Sequence, residues 1–337
     1  MTTASGIGSW PGTDVRETLR VVRDALGGSS DAAGDGEVGW LPYLPELPDR
    51  GPGSDVIGRA AGLLVGLPVD LQPAGWRFVD RPGTDAHRTR AFLQEDLDEL
   101  AEAFDGWTGR LKVQVAGPWT LASSVWLHRG ERAAVDEGAS RDLVDSLAEG
   151  VRLHLAEVRR LVPGAKLVLQ LDEPSLPAAL AGHLPTASGY GVLRALDPQV
   201  ALAGLQAVLA AAGDGEAVIH CCAPGIPVPL LRQTGAGLAT DTSLLGSTGW
   251  EGVAVGIEDG MTLYAGCVPT DGSTPRAQAV AAGLVSRWRA LGMPLAGLGG
   301  IVVTPACGMA GLTAPGARDV QQLCIDTAKE LTEHDLD

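Results

Sequence analysis

Short apolar runs alternate along the chain with longer stretches in which leucine and valine recur every three or four positions. The runs at 6–9, 38–41, 111–115, 166–171, 217–222, 237–241, 262–265 and 301–304 have the length and makeup of buried strands. Between them, residues 14–26 set Val15, Leu19, Val22 and Leu26 on one helical face and stop at Gly27-Gly28. Residues 140–162 repeat the pattern with Leu143, Leu147, Val151 and Val158, with Ser140 as the expected N-cap. Thr274-Pro275 opens another predicted helix, where proline's missing N–H does no harm, and Gly292 closes it. Residues 67–90 carry Pro68, Pro73, Pro82 and Gly83 around Trp76 and Phe78 and read as a long loop. Residues 27–36, rich in glycine and serine, read as a flexible connection that is too short to link domains.

Eight strands with helices between them predict an α/β protein, a single (β/α)8 TIM barrel spanning residues 1–337. The loop at 67–90 implies a long loop-and-helix excursion between strands 2 and 3. An open doubly wound sheet has the same rhythm. The barrel is favoured because Ser9, Asp172, His220, Cys222, Asp241 and Cys307 all fall at the carboxyl ends of predicted strands. A barrel gathers those ends at one face, where barrel enzymes do their chemistry.

Composition narrows the function classes. The net charge of −16 opposes binding to phosphate backbones, so no nucleic-acid partner is expected. No apolar run approaches the roughly 18 residues of a membrane span, and residues 1–10 lack a basic segment followed by an apolar one. These features predict a cytoplasmic protein without a membrane partner. The acidic run at 95–102 reads as a solvated helix face, because Leu97 and Leu100 recur at helical spacing. The five cysteines, Cys221, Cys222, Cys267, Cys307 and Cys324, are an odd number and suggest no disulfide framework.

The remaining question is whether any of these thiols holds a metal. In a strand, residues two apart share a side, so His220 and Cys222 face one way and Cys221 the other. A buried histidine beside a core cysteine is the plain reading of that pair, and a zinc site is the alternative. Cys307 shifts the balance. It follows the apolar run at 301–303 inside Thr304-Pro305-Ala306-Cys307-Gly308-Met309, in a turn at a strand end. Three N and S donors converging at a barrel mouth suit a catalytic Zn2+ that keeps one position open. A thiol bound there is deprotonated near neutral pH and stays nucleophilic toward an electrophilic methyl group.

Gly8-Ser9-Trp10-Pro11, Leu171-Asp172-Glu173-Pro174, His220-Cys221-Cys222 and Pro305-Ala306-Cys307-Gly308 occur in this order, with Val115-Ala116-Gly117-Pro118-Trp119-Thr120 between the first two. Together they resemble the carboxy-terminal catalytic barrel of the cobalamin-independent methionine synthase family, including its single-barrel form. The resemblance implies a zinc-dependent S-methyltransferase that turns a thiol amino acid, homocysteine, into methionine. It assigns zinc to His220, Cys222 and Cys307, and the family's glutamate ligand is matched by Asp241. That aspartate reads equally as a cap for the segment that follows it. The resemblance also gives Ser9 to the substrate carboxylate and Asp172 to its amino group.

Several departures accompany the resemblance. The family's additional amino-terminal barrel has no counterpart, and no histidine lies between Cys222 and His334 to assist a departing folate. The donor is therefore left between methyltetrahydrofolate and a methylcorrinoid, the latter delivered by a corrinoid-protein partner. The family's second carboxylate for the amino group is not identifiable from sequence. Cys267 is an alternative to Asp241 as a ligand, His128 is a weaker site candidate, and Trp76 and Phe78 either cover substrate or pack under the loop. Two further readings stand beside the methyltransferase. One is a barrel decarboxylase similar to uroporphyrinogen decarboxylase, which would need arginines that 6–11 lacks. The other is a zinc- or thiol-binding protein without turnover.

Overall fold

The computed structural model describes residues 1–28 and 38–335. Most of the flexible connection expected at 27–36 lies outside the described residues. Ten strands form among the described residues: β1 (Thr3–Ser5), β2 (Gly39–Leu41), β3 (Val69–Gln72), β4 (Gly75–Phe78), β5 (Arg110–Ala116), β6 (Lys166–Asp172), β7 (Glu216–Cys221), β8 (Gly237–Asp241), β9 (Leu263–Val268) and β10 (Val302–Pro305). Eight of them make one parallel sheet in the order β2-β1-β10-β9-β8-β7-β6-β5. The remaining gap, between β2 and β5, is bridged where Lys112 N donates to Pro42 O (2.9 Å) and Leu44 N donates to Lys112 O (3.0 Å). The result is a (β/α)8 TIM barrel.

Alternation along the strands sorts residues to its two sides. Leu167, Leu169, Leu171, Val113, Val115 and Ile219 join the large apolar cluster shared with the helices. Leu41, Val168, Val218, Ala239, Tyr264 and Val302 form a separate cluster inside the ring. Following the inward register of β5, β6 and β7 in steps of two residues reaches Lys112 and Gln114, Gln170 and Asp172, and His220. The barrel is thus apolar in one layer and polar toward the carboxyl ends of its strands.

Several sequence expectations are corrected. The first strand forms at Thr3–Ser5 and not at 6–9. The stretch 67–90 is not a loop: β3 and β4 pair antiparallel, with Val69 opposite Phe78 and Leu71 opposite Trp76, and a helix begins at Thr84. The apolar alternation of Val69, Leu71, Trp76 and Phe78 carried that hairpin, and Trp76 packs in the core. The helix expected at 140–162 starts earlier, at Glu137, because Asp136 accepts from Ala139 N (2.8 Å), whereas Ser140 is buried and donates to Ala133 O. Thr274-Pro275 lies ahead of its helix, which runs Ala277–Ala290 behind an extended Arg276; Gly292 ends it at φ +72°.

The acidic run at 95–102 is helical, but Asp96 is fully buried and does not belong to a solvated face. Its carboxylate is held by Arg50 Nη2 (2.7 Å) and by Arg59. No helix among the described residues is long and apolar enough to cross a membrane.

Candidate metal centre at the barrel mouth

His220 lies on β7, paired in register with Asp172 of β6 and Ala239 of β8. Cys222 follows two residues on, and Cys307 sits in the turn just after β10. One donor atom from each of His220, Cys222 and Cys307 lies within 4.8 Å of the others, and the two sulfurs are 2.9 Å apart. His220 Nδ1 is 2.8 Å from Asp172 Oδ1. A carboxylate only accepts, so Nδ1 carries the proton and Nε2 presents a lone pair. That Nε2 is buried and has no protein partner among the described residues. An orphaned imidazole nitrogen beside two thiols is the donor set of a soft or borderline metal, and zinc fits it. A hydrogen bond from the Cys222 thiol holds the Cys307 pKa down against burial, with His220 assisting, and the same bond raises that of Cys222.

The other sequence candidates separate around this group. Ser9 is brought beside it. Met309 N donates to Ser9 O (2.9 Å), and a Cβ at Gly308 would lie 2.0 Å from Ser9 Oγ, so only glycine permits this approach next to Cys307. Asp172 supports His220 directly, with its Oδ1 also accepting from Gln170 Nε2 (2.7 Å). Asp241 is not part of the three-donor group. Its Oδ1 accepts from Ser243 N (2.9 Å) and Ser243 Oγ (2.6 Å), capping the short helix Thr242–Leu244.

Cys267 also lies outside the group, and burial pushes its thiol up to about 12. Cys221 and Cys324 are fully buried. His154 is buried within the helix Glu137–Leu161, and burial draws its pKa down to about 4. His128 accepts from Arg77 through its carbonyl (3.3 Å) and lies outside the three-donor group.

Glu46, Lys112 and Gln170 were missed by sequence reasoning. Glu46 pairs with Ser9 through the backbone, Trp10 N donating to Glu46 O (2.8 Å) and Glu46 N to Gly8 O (3.1 Å). Burial raises its carboxyl to about 7, opposed by Arg59 and reinforced by Asp172. Lys112 and Gln170 are both fully buried inside the barrel. A polar residue on the inward register of an otherwise apolar strand was the signal available for both.

Glu173 joins two of the sequence motifs. Its carboxylate accepts from Trp119 N (2.9 Å), Thr120 N (2.7 Å) and Thr120 Oγ1 (2.8 Å), fixing the segment after β5 to that after β6. A Cβ at Gly117 would sit 2.3 Å from Glu173 Oε1, which is why glycine stands there. Burial lifts the Glu173 pKa from 4.5 to about 7, although these donors oppose the rise. The folded state therefore holds this proton more tightly than the unfolded chain. Between those two values stability falls as pH rises, by up to about 1.4 kcal/mol per pH unit from this group. Glu173→Gln is expected to flatten that part of the slope in urea unfolding between about pH 5 and 7. Above pH 7, where the parent carboxylate accepts with both oxygens, it also lowers stability by about 1–3 kcal/mol, because its amide N–H would face donors. An unchanged slope contradicts this assignment.

No protein-family model and no curated protein matches the sequence. Among solved structures, the chain is similar to a methylaspartate ammonia lyase from Clostridium tetanomorphum, with a TM-score of 0.42 at 11% identity over 96% of this chain and 59% of that one. That likeness is too low to carry an argument. It is also similar to a B12-independent methionine synthase from Shewanella sp. W3-18-1 in complex with selenomethionine, with a TM-score of 0.59 over 99% of this chain and 98% of that one. At 14% identity, this second likeness shows that the two chains share a fold.

Proposed function

We propose that the protein is a zinc-dependent S-methyltransferase acting on a thiol amino acid, with homocysteine as acceptor and methionine as product. The observation that carries the reading is the buried, partnerless His220 Nε2 grouped with the Cys222 and Cys307 sulfurs. Zinc bound there supplies the Lewis acidity that keeps an incoming thiol deprotonated near neutral pH.

The chain's own residues do the rest. His220 and the two cysteines would hold the metal, and three protein donors would leave room for a substrate sulfur. Asp172 uses Oδ1 to orient His220, and its Oδ2, without a protein partner among the described residues, is left to receive the substrate ammonium. Glu46, adjoining Ser9, is the second carboxylate for that ammonium. The Ser9 hydroxyl and neighbouring backbone meet the substrate carboxylate. Asp241 remains a cap in this reading, and the three donors suffice.

In the transfer, the acceptor sulfur forms a bond to the methyl carbon while the bond from that carbon to the donor breaks, its electrons leaving with the donor. Departure from the nitrogen of methyltetrahydrofolate calls for a proton, and no histidine lies between Cys222 and His334 to provide one. A methylcorrinoid departs without a proton and is the donor that suits this mouth. The test is methionine formation, by mass spectrometry, from homocysteine with methylcobalamin or methyltetrahydrofolate on zinc-loaded protein. Methionine is expected with the methylcorrinoid, and Ser9→Ala is expected to raise the KM for homocysteine about tenfold, the loss of one hydrogen bond to a charged group. Absence of product from both donors on protein that holds zinc defeats the reading.

A further inference from the structure

The polar interior of the barrel contains a hydrogen-bonded chain that begins at Lys112, three hydrogen bonds from His220. Lys112 is fully buried, and its Nζ donates to Gly6 O (2.5 Å), Ile7 O (3.1 Å) and Gln170 Oε1. Three acceptors match the three donors of an ammonium, and nothing there donates to the lone pair of a neutral amine. Burial draws the Lys112 pKa down to about 7, while Asp172 and Glu46 oppose the fall. The face of the Tyr43 ring, 5.5 Å away, further favours the cation.

With its oxygen committed to Lys112, the Gln170 amide has one orientation. Its two N–H groups point at Ile7 O (2.9 Å) and Asp172 Oδ1 (2.7 Å). A flipped amide would turn N–H toward the ammonium and oxygen toward the carboxylate, opposing like partners at both ends. Asp172 Oδ1 is therefore held as an acceptor, and it takes the second hydrogen bond from His220 Nδ1. The Asp172 carboxylate sets the tautomer of His220, with Nε2 unprotonated, and the chain from Lys112 through Gln170 holds that carboxylate in place.

We propose that Lys112 is a positioning residue for the metal centre, acting through Gln170 and Asp172 to fix His220 as an Nε2 ligand. The same ammonium ties down the Gly6 and Ile7 carbonyls just ahead of Ser9, so one buried charge sets both the substrate-side segment and the metal side. This inference rests on the proposed metal reading and deepens it.

The test compares the full-length parent with Lys112→Met, Gln170→Met and the double variant. Zinc affinity is measured by chelator competition, the His220 tautomer by 15N chemical shifts of the zinc-free protein, and folding by urea titration. Each single variant is expected to weaken zinc binding about 10–100-fold, the effect of losing an outer partner of a ligand. The double variant should be no weaker than the weaker single, because both cut one chain. The Nδ1–H signature of His220 should weaken in all three. Should Lys112→Met fail to fold, Gln170→Met carries the test, since it leaves the lysine's bonds to Gly6 and Ile7 in place. Folded variants with unchanged zinc affinity and an unchanged tautomer overturn the inference. A parent that binds no zinc defeats the metal reading instead, and the tautomer measurement still decides whether the chain operates.

Discussion

Arg59→Met is expected to destabilise the protein by about 3–5 kcal/mol, a large fraction of the stability of an ordinary domain. Arg59 is almost wholly buried, with Nη1 on Asp96 and Nε 3.4 Å from Glu46 Oε1. Asp96 is completely buried and keeps only Arg50 when Arg59 is lost. Glu46 would lose its ion-pair partner and would be driven further toward its protonated form, since Arg59 is the main influence holding its pKa down. The cost arises from stranding charges already removed from water, not from the intrinsic worth of the pairs. Replacing Glu46 with glutamine in the Arg59→Met background should therefore restore part of the loss, which urea unfolding of the two variants will show. A loss below about 1 kcal/mol for Arg59→Met would place these groups in a far wetter environment than their burial indicates.

The second large effect concerns the metal donors. Cys222→Ser, Cys307→Ser and His220→Ala are each expected to weaken zinc binding by at least about 100-fold, since even an outer partner accounts for 10–100-fold. The cysteines are only partly buried at the barrel mouth, so their variants should unfold close to the parent. His220 is buried and paired with Asp172, and its replacement should cost stability as well. Chelator competition and urea unfolding on the same preparations separate the two effects. Retention of parental affinity by either cysteine variant would remove that sulfur from the site.

The parts of this picture that were legible in the sequence are those governed by local periodicity. Strand alternation put His220 and Cys222 on one side, and the turn residues around Cys307 set it at a strand end. What escaped were relations spanning many residues. Gln170 lies one strand away from Lys112 and 58 positions along, and only the barrel register joins them through one hydrogen bond. Glu46 sits in an irregular segment, where no period marks it as facing inward. Asp96 lies in a run of acidic residues whose neighbours are exposed, and its burial depends on Arg50 and Arg59 arriving from a separate segment. The first strand was displaced because Thr3 and Ser5 are polar yet buried; Ser5 Oγ donates to Leu41 O (2.8 Å).

The central claim is that His220, Cys222 and Cys307 hold zinc with a position open to a substrate thiol. X-ray absorption at the zinc edge, on reduced protein with and without homocysteine, tests it most directly. The account predicts about one zinc per chain with two sulfur neighbours, rising to three when homocysteine is added. Protein that takes up no zinc under reducing conditions, or a sulfur count unchanged by homocysteine, would contradict it.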